Sequence, residues 1–96
     1  MDEAGPGSLK CVTASSGERS LRAGLQQALL AHVRDDDVRH LYDNVFLVYT
    51  EAEPEAVRDW LRPALREHES AFVVEFERWS SAGAAADQRW LLRRGH

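Results

Sequence analysis

Several residues in this 96-residue chain carry side chains that hold metals or act as acids and bases in proteins. Asp35, Asp36 and Asp37 offer three carboxylates, the ligands that hard divalent cations prefer. Consecutive residues on one loop do not all face a single ion, so we favour a turn after a helix, with a metal site as the alternative. Glu75 and Glu77 share one side of an extended run. They form either a carboxylate pair or a solvated strand edge.

The cysteine and the histidines show no spacing typical of a catalytic or metal-binding motif. Cys11 lies in an apolar run, which favours a buried structural thiol over a nucleophile. A lone cysteine excludes an internal disulfide and is typical of a reducing, cytoplasmic environment. His32 lies near the end of the first helical stretch and His68 follows the second, where a cation interacts favourably with the helix dipole. His40 belongs to a polar run that we expect at a sheet edge.

Positive charge is concentrated in a helical stretch at residues 87–94. Arg89, Arg93 and Arg94 flank Trp90, and nucleic-acid bases stack on aromatic rings while arginine contacts phosphate. A nucleic-acid contact is one interpretation, and a solvated helix face is the other. The net charge of −4 argues against a broadly basic nucleic-acid binder. None of these patterns predicts a cofactor.

Length and composition predict one globular domain, since 44% of the residues are apolar and 29% are charged. Residues 1–7 are acidic and rich in glycine and proline, so we expect a disordered leader before a single domain at 8–96. No apolar run reaches the ~18 residues that a membrane-spanning helix needs.

Periodicity predicts a strand at 9–14, a helix up to Val33, and two strands joined at Asp43-Asn44 as a β-hairpin over 38–50. Ser15 and Glu18 have the spacing of a capping box, which favours a helix start there.

The second half of the chain continues with a helix, a strand and a shorter helix. Pro54 is suited to the first position of the helix, with Glu53 as its cap, and Pro63 predicts a kink or a break near Arg62. Residues 71–77 alternate as a strand does, residues 80–86 are a small-residue loop, and residues 87–94 form a short helix.

This order predicts a ferredoxin-like, split βαβ fold of the α+β class, in which two helices cover one face of a four-stranded antiparallel sheet. The other face is expected to be open. Such a face typically meets a second copy, the C-terminal helix or a partner protein. We assign to it the candidate interface residues Val12, Phe46, Val48, Val73, Trp79 and Trp90.

The stretch VFLVYTEAEPEAVRDWLRPALREHESAFVVEFERW resembles the second half of the small CRISPR-associated adaptation proteins, and even more their stand-alone relatives outside CRISPR loci. A strand ending in Thr50 leads to an acidic, proline-started helix. The family's R-x-x-L-x-P-x-L pattern is carried here by Arg58, Leu61, Pro63 and Leu65. The tail SSAGAAADQRWLL is similar to the family's terminal segment. The resemblance implies a ferredoxin-like fold and a homodimer.

The first strand departs from that family. Members with nuclease activity end this strand in an aspartate that helps to bind a divalent metal at the dimer interface, whereas no acidic residue occurs between Lys10 and Glu18. Metal-assisted phosphodiester hydrolysis needs such carboxylates. We therefore expect a non-enzymatic, homodimeric interaction or regulatory module. A metal-dependent nuclease of the family type and a small-ligand-binding regulatory domain are the alternatives.

Overall fold

The computed structural model describes residues 7–83 and 87–94. Within them the chain is an α+β protein with a four-stranded antiparallel sheet, as predicted. Its elements are β1 (Ser8–Ser15), α1 (Arg22–Leu30), β2 (Val38–Tyr42), β3 (Val45–Thr50), α2 (Pro54–Leu61), β4 (Ser70–Phe76) and α3 (Gln88–Arg93). None of the helices described is long and apolar enough to cross a membrane.

Two predicted segments lie wholly or partly outside the described residues. The expected leader at 1–7 is described only at Gly7, and the expected loop at 80–86 is described only up to Gly83. The short helix predicted at 87–94 is present as α3.

The sheet has the strand order β2-β3-β1-β4, and every neighbouring pair is antiparallel. β1 is a central strand, and its Val12 lies opposite Phe46 of β3 and Val73 of β4. β2 and β4 are therefore the two edge strands, and each has one backbone edge that no described strand pairs with.

Side chains of alternating direction divide the apolar residues into two clusters. The first, here called the helix-side cluster, joins strand residues to α1 and α2: Val12, Leu21, Leu25, Leu29, Val38, Phe46, Val48, Val57 and Leu61. The second, here called the α3-side cluster, joins Leu9 and Leu47 to Trp90 and Leu91 of α3. The sheet thus has apolar contacts on both faces.

Four of the candidate interface residues lie on the other face from the one predicted. Val12, Phe46 and Val48 have no exposed surface and belong to the helix-side cluster, against which Val73 also packs. The prediction that they form the open face is wrong. The physical reason is that β3 carries apolar side chains on both of its faces. Alternation alone therefore does not indicate which face packs against the helices.

The predicted capping box at Ser15 and Glu18 is also wrong. β1 extends to Ser15, and α1 begins only at Arg22. The intervening turn is held by Ser16, whose Oγ accepts a hydrogen bond from the Arg19 amide at 3.1 Å and donates one to the Arg19 carbonyl at 2.8 Å. A serine that bonds its own neighbouring backbone in this way favours a turn over a helix.

The hairpin between β2 and β3 turns at Asp43 and Asn44, as predicted. Asp43 takes the left-handed backbone conformation, with φ at 45°. The Asn44 side-chain oxygen instead accepts from the Leu21 amide at 2.9 Å, and its carbonyl accepts from the Ala14 amide at 3.1 Å. One turn residue therefore ties the hairpin to both ends of the β1–α1 connection.

α2 begins and ends where proline dictates. Pro54 is its first residue and Glu53 is its N-cap, although no side-chain capping bond forms. The helix ends at Leu61 and continues as a 3-10 turn over Arg62–Ala64. This confirms the predicted break, because Pro63 has no amide hydrogen to donate and its ring crowds the carbonyl four residues earlier.

Truncation of a core residue of α1 tests the helix-side cluster. Leu25 has no exposed surface, so Leu25→Ala is expected to lower the free energy of unfolding by about 3 kcal/mol. Leu30→Ala in the same helix is the control, since Leu30 is 37% exposed, and we expect a loss below about 1 kcal/mol. Urea unfolding followed by circular dichroism measures both, and equal losses would contradict this packing.

Candidate interaction surface

The sheet face that carries the α3-side cluster is covered only in part. Trp90 and Leu91 of α3 bury Leu9 and Leu47, while Trp79 packs at the margin of the same cluster. Trp79 and Trp90 therefore do help to cover the face opposite α1 and α2, as predicted for these two residues.

The rest of that face is accessible along the pairing of β1 with β4. Phe72 is 64% exposed and Val74 is 36% exposed. Their partners in register on β1 are Thr13 and Cys11, whose side chains point the same way. These four residues, Cys11, Thr13, Phe72 and Val74, are here called the open strip. It is bordered by the edge of β4 that no described strand pairs with.

Polar contacts fix α3 in place over the other part of the face. The Trp90 indole Nε1 donates to the Asp36 carbonyl at 2.6 Å, and Arg94 Nη2 donates to an Asp37 carboxylate oxygen at 2.8 Å. The guanidinium carbons of Arg94 and Arg39 lie 4.6 and 5.6 Å from the Trp90 ring centroid. Such cation–π contacts strengthen when water is excluded, as it is around this buried ring.

Asp87 caps the first turn of α3. Its carboxylate accepts from the Trp90 amide at 3.0 Å and lies 3.6 Å from Arg39 Nε. The Trp90 amide is the main cause that lowers the pKa of Asp87, and the charges of Arg39 and Arg93 add to it. This carboxylate is therefore held in its charged form by the groups that attach α3 to β2.

The residues considered for nucleic-acid contact have different surroundings. Arg94 is engaged with Asp37, and the Trp90 ring is fully buried, so that it does not stack on a base in this arrangement. Arg89 and Arg93 are exposed on α3. Of the three arginines, these two are therefore accessible to a nucleic acid, and Arg94 is less exposed.

The aspartate and glutamate residues considered as metal ligands or as a carboxylate pair do not converge on one site. Asp35–Asp37 form a 3-10 turn, in which the backbone carbonyl of Asp36 accepts from Trp90 and the carboxylate of Asp37 accepts from Arg94. Glu75 lies on β4, whereas Glu77 follows the end of that strand. Among residues 7–83 and 87–94, no group of three or more histidine, cysteine or acidic residues is arranged to hold a metal ion.

Lys10 is a buried cation that the sequence patterns did not single out. Only 1% of it is exposed, and its Nζ donates to Ser8 Oγ at 2.6 Å and to the Thr50 carbonyl at 2.8 Å. Glu75 lies 3.4 Å from the same nitrogen. The bond from Ser8, followed by that from Lys10, lowers the pKa of Glu75. The one signal of this burial in the sequence was that Lys10 lies two positions before Val12, so the two side chains share a face of the strand.

The histidines and the cysteine lie apart from one another. His32 stacks on Trp60 with ring centroids 4.5 Å apart, and His40 contacts the Asp43 carbonyl at 2.8 Å. His68 occupies a turn with φ at 73°. Cys11 is half-buried in the open strip, and this burial raises the pKa of its thiol. A neutral, poorly nucleophilic thiol follows.

Two cavities accompany these features. An open groove of 560 Å³ separates α1 from α2, with Arg19 at one end and the stacked His32–Trp60 pair at the other. Arg19 is already bound there, since two of its nitrogens each lie 2.6 Å from the Glu69 carboxylate. A smaller, mostly apolar pocket of 260 Å³ lies beside α3 and is lined by Leu41, Leu47, Phe76, Trp79 and Leu91, among others.

Comparisons with known proteins find no relative for this chain. No family model, no curated protein and no solved structure matches it. The resemblance to the CRISPR-associated adaptation proteins and their stand-alone relatives therefore stays a prediction.

Replacement of the buried indole tests how α3 is held. Trp90→Phe removes the donor to the Asp36 carbonyl and part of the packed volume, so we expect a loss of about 1–3 kcal/mol in the free energy of unfolding. Trp60→Phe is the matched control, because Trp60 is only half-buried on α2. Chemical unfolding measures both variants. A control as costly as Trp90→Phe would show that the indole bond does not anchor α3.

The ion pair beside the groove predicts a pH-dependent stability. The Arg19 hydrogen bond is the main cause that lowers the pKa of Glu69 to about 2 from its usual 4.5. A depressed carboxyl pKa stabilises the fold above the unfolded-state pKa, and this gain is lost as the pH falls towards 2. The melting temperature of the native chain should therefore exceed that of Glu69→Gln at about pH 6 and converge with it near pH 2. Glu67→Gln is the exposed control, and a gap that stays constant with pH would refute this assignment.

Proposed function

We propose that this chain is a non-enzymatic interaction module that acts as a homodimer, with a second copy of the chain as its partner. The observation that carries this proposal is the exposure of Phe72 and Val74 on a sheet face beside an unpaired edge strand.

We also propose that the fold is ferredoxin-like. The order β-α-β-β-α-β and the strand order β2-β3-β1-β4 support this assignment. The helix-side cluster supports it as well, because α1 and α2 both contribute leucines to it. A reducing, cytoplasmic location is proposed from the unpaired Cys11.

The open strip combines two features that promote association. Isolated apolar residues at a protein surface are common, but Phe72 and Val74 are two positions apart on one strand and share a face. Next to them the unpaired edge of β4 offers backbone donors and acceptors to another chain. Covering such side chains gains about 25 cal/mol for each Å² of apolar area removed from water.

Many of the charged groups in the described structure form ion pairs with one another. Lys10 faces Glu75, Arg19 binds Glu69, and Arg94 binds Asp37. Cross-linking of this kind between elements is typical of groups that stabilise a fold. It supports an interaction module over the nuclease and ligand-binding alternatives.

A charge placed in the open strip should separate the two copies. Phe72→Glu puts a carboxylate where the proposed interface is apolar, so the dimer dissociation constant should rise at least about tenfold. Light scattering and sedimentation measure the mass against the 10.8 kDa of one chain.

Tyr42→Glu is the matched control for this test. Tyr42 is 54% exposed on β2, the edge strand at the opposite side of the sheet, and this variant should remain dimeric. A native chain that is monomeric at about 100 μM, a concentration at which a standard-size interface would associate, would overturn the proposed homodimer.

A further inference from the structure

We propose that the pocket beside α3 binds a small, uncharged molecule that consists of an apolar ring and one hydroxyl or carbonyl group. The pocket has a volume of 260 Å³, and its apolar residues belong to the α3-side cluster or pack against it. This proposal goes beyond the homodimer and does not depend on it, since none of the four residues of the open strip lines the pocket.

The lining of the pocket indicates the charge of its ligand. None of the nine described residues that line it carries a side chain that is charged at neutral pH, although 29% of the whole chain is charged. They are Leu41, Tyr42, Leu47, Phe76, Trp79, Ser80, Ser81, Ala82 and Leu91. Moving an ion from water to such a surface costs free energy that no opposite charge returns. An uncharged ligand is therefore favoured.

The burial of the lining residues indicates how a ligand would be oriented. The most deeply buried are apolar, since Leu47 is 5% exposed and Leu91 is 2% exposed. The exposed ones include three that carry hydroxyl groups, namely Tyr42, Ser80 and Ser81. A ligand with an apolar ring and one polar group fits this gradient, because the ring enters the buried part and the polar group reaches the hydroxyls. Pockets that bind small molecules typically combine apolar walls with a few polar groups in this way.

A β-bulge in β2 contributes one wall of the pocket. His40 lies opposite Phe46 of β3, but Tyr42 lies opposite Val45, so the strand contains one extra residue at Leu41. Consecutive side chains of a regular strand point to opposite faces. Leu41 and Tyr42 nevertheless both line this pocket. Bulges redirect side chains and are over-represented beside functional sites, so the bulge is a second observation that supports a binding site here.

The volume of the pocket indicates the size of the ligand. An apolar cavity of about 150 Å³ is large enough to bind benzene. A volume of 260 Å³ therefore admits a single ring with substituents. Such a ring would contact Leu41 of β2, Leu47 of β3, Phe76 of β4 and Leu91 of α3 at once, and it would lie beside the indole of Trp79. Contacts between aromatic rings add to the gain from burying apolar area.

Titration with p-cresol tests this site, followed by NMR of the indole N–H groups of the three tryptophans. We expect the Trp79 signal to shift with a dissociation constant of about 1 mM or lower, which is reasonable for so small a ligand. Trp60 lines the separate groove between α1 and α2, so its signal is the internal control and should not shift. The melting temperature of the chain should rise as p-cresol binds.

A charged analogue and a matched pair of variants complete the test. The anion p-toluate carries a carboxylate in place of the hydroxyl, and it should bind at least about tenfold more weakly than p-cresol. Ala82→Phe places a ring at the exposed rim and should raise the dissociation constant of p-cresol at least about tenfold. Ala31→Phe is the matched control, because Ala31 is an exposed alanine of the other groove, and this variant should bind as the native chain does.

The contrary results are equally clear. An unchanged Trp79 signal at about 10 mM p-cresol would overturn the proposal. Equal shifts of Trp60 and Trp79, or equal binding by Ala82→Phe and the native chain, would show that p-cresol does not occupy this pocket and would overturn it as well. Equal binding of p-toluate would overturn the uncharged ligand class. A monomeric chain that binds p-cresol as expected would support this site while contradicting the homodimer.

Discussion

The two inner strands of the sheet carry apolar side chains on both faces, and this constraint shapes the rest of the molecule. Leu47 of β3 faces one way while Phe46 and Val48 face the other, so both faces of the sheet need a cover. On one side, Leu25 and Leu29 of α1 and Val57 and Leu61 of α2 pack against the strands. On the other side, the helix described is only six residues long, so part of the face stays in contact with solvent. The open strip, and the dimer proposed from it, follow from that difference in size.

The parts of the fold that depend on neighbouring residues were predictable from the sequence. Pro54 and Pro63 fixed the start and the end of α2 because proline acts through its own ring and missing amide. Asp43 and Asn44 marked the hairpin since both tolerate turn conformations. Trp79 and Trp90 were correctly assigned to the face that α3 covers.

The parts that depend on distant residues were not predictable. The face of Phe46 was inverted because β3 has apolar side chains on both of its faces, and Val12, which pairs with Phe46 in register, was inverted with it. The predicted capping box did not form, because Ser16 bonds the backbone three residues later. The burial of Lys10 depends on Thr50 across the sheet. The candidate site was predictable only in part. The alternation of β4 indicated which of its residues share a face, but the position and length of α3 decide which of them remain exposed.

The attachment of α3 also bears on how the chain is made. This helix follows every strand of the sheet in the sequence, yet its indole binds a carbonyl 54 residues earlier. During synthesis the strands leave the ribosome before α3 does, so α3 cannot shield Leu9 and Leu47 from solvent until it has been made. A chain cut before α3 would therefore lack the cover of Leu9 and Leu47.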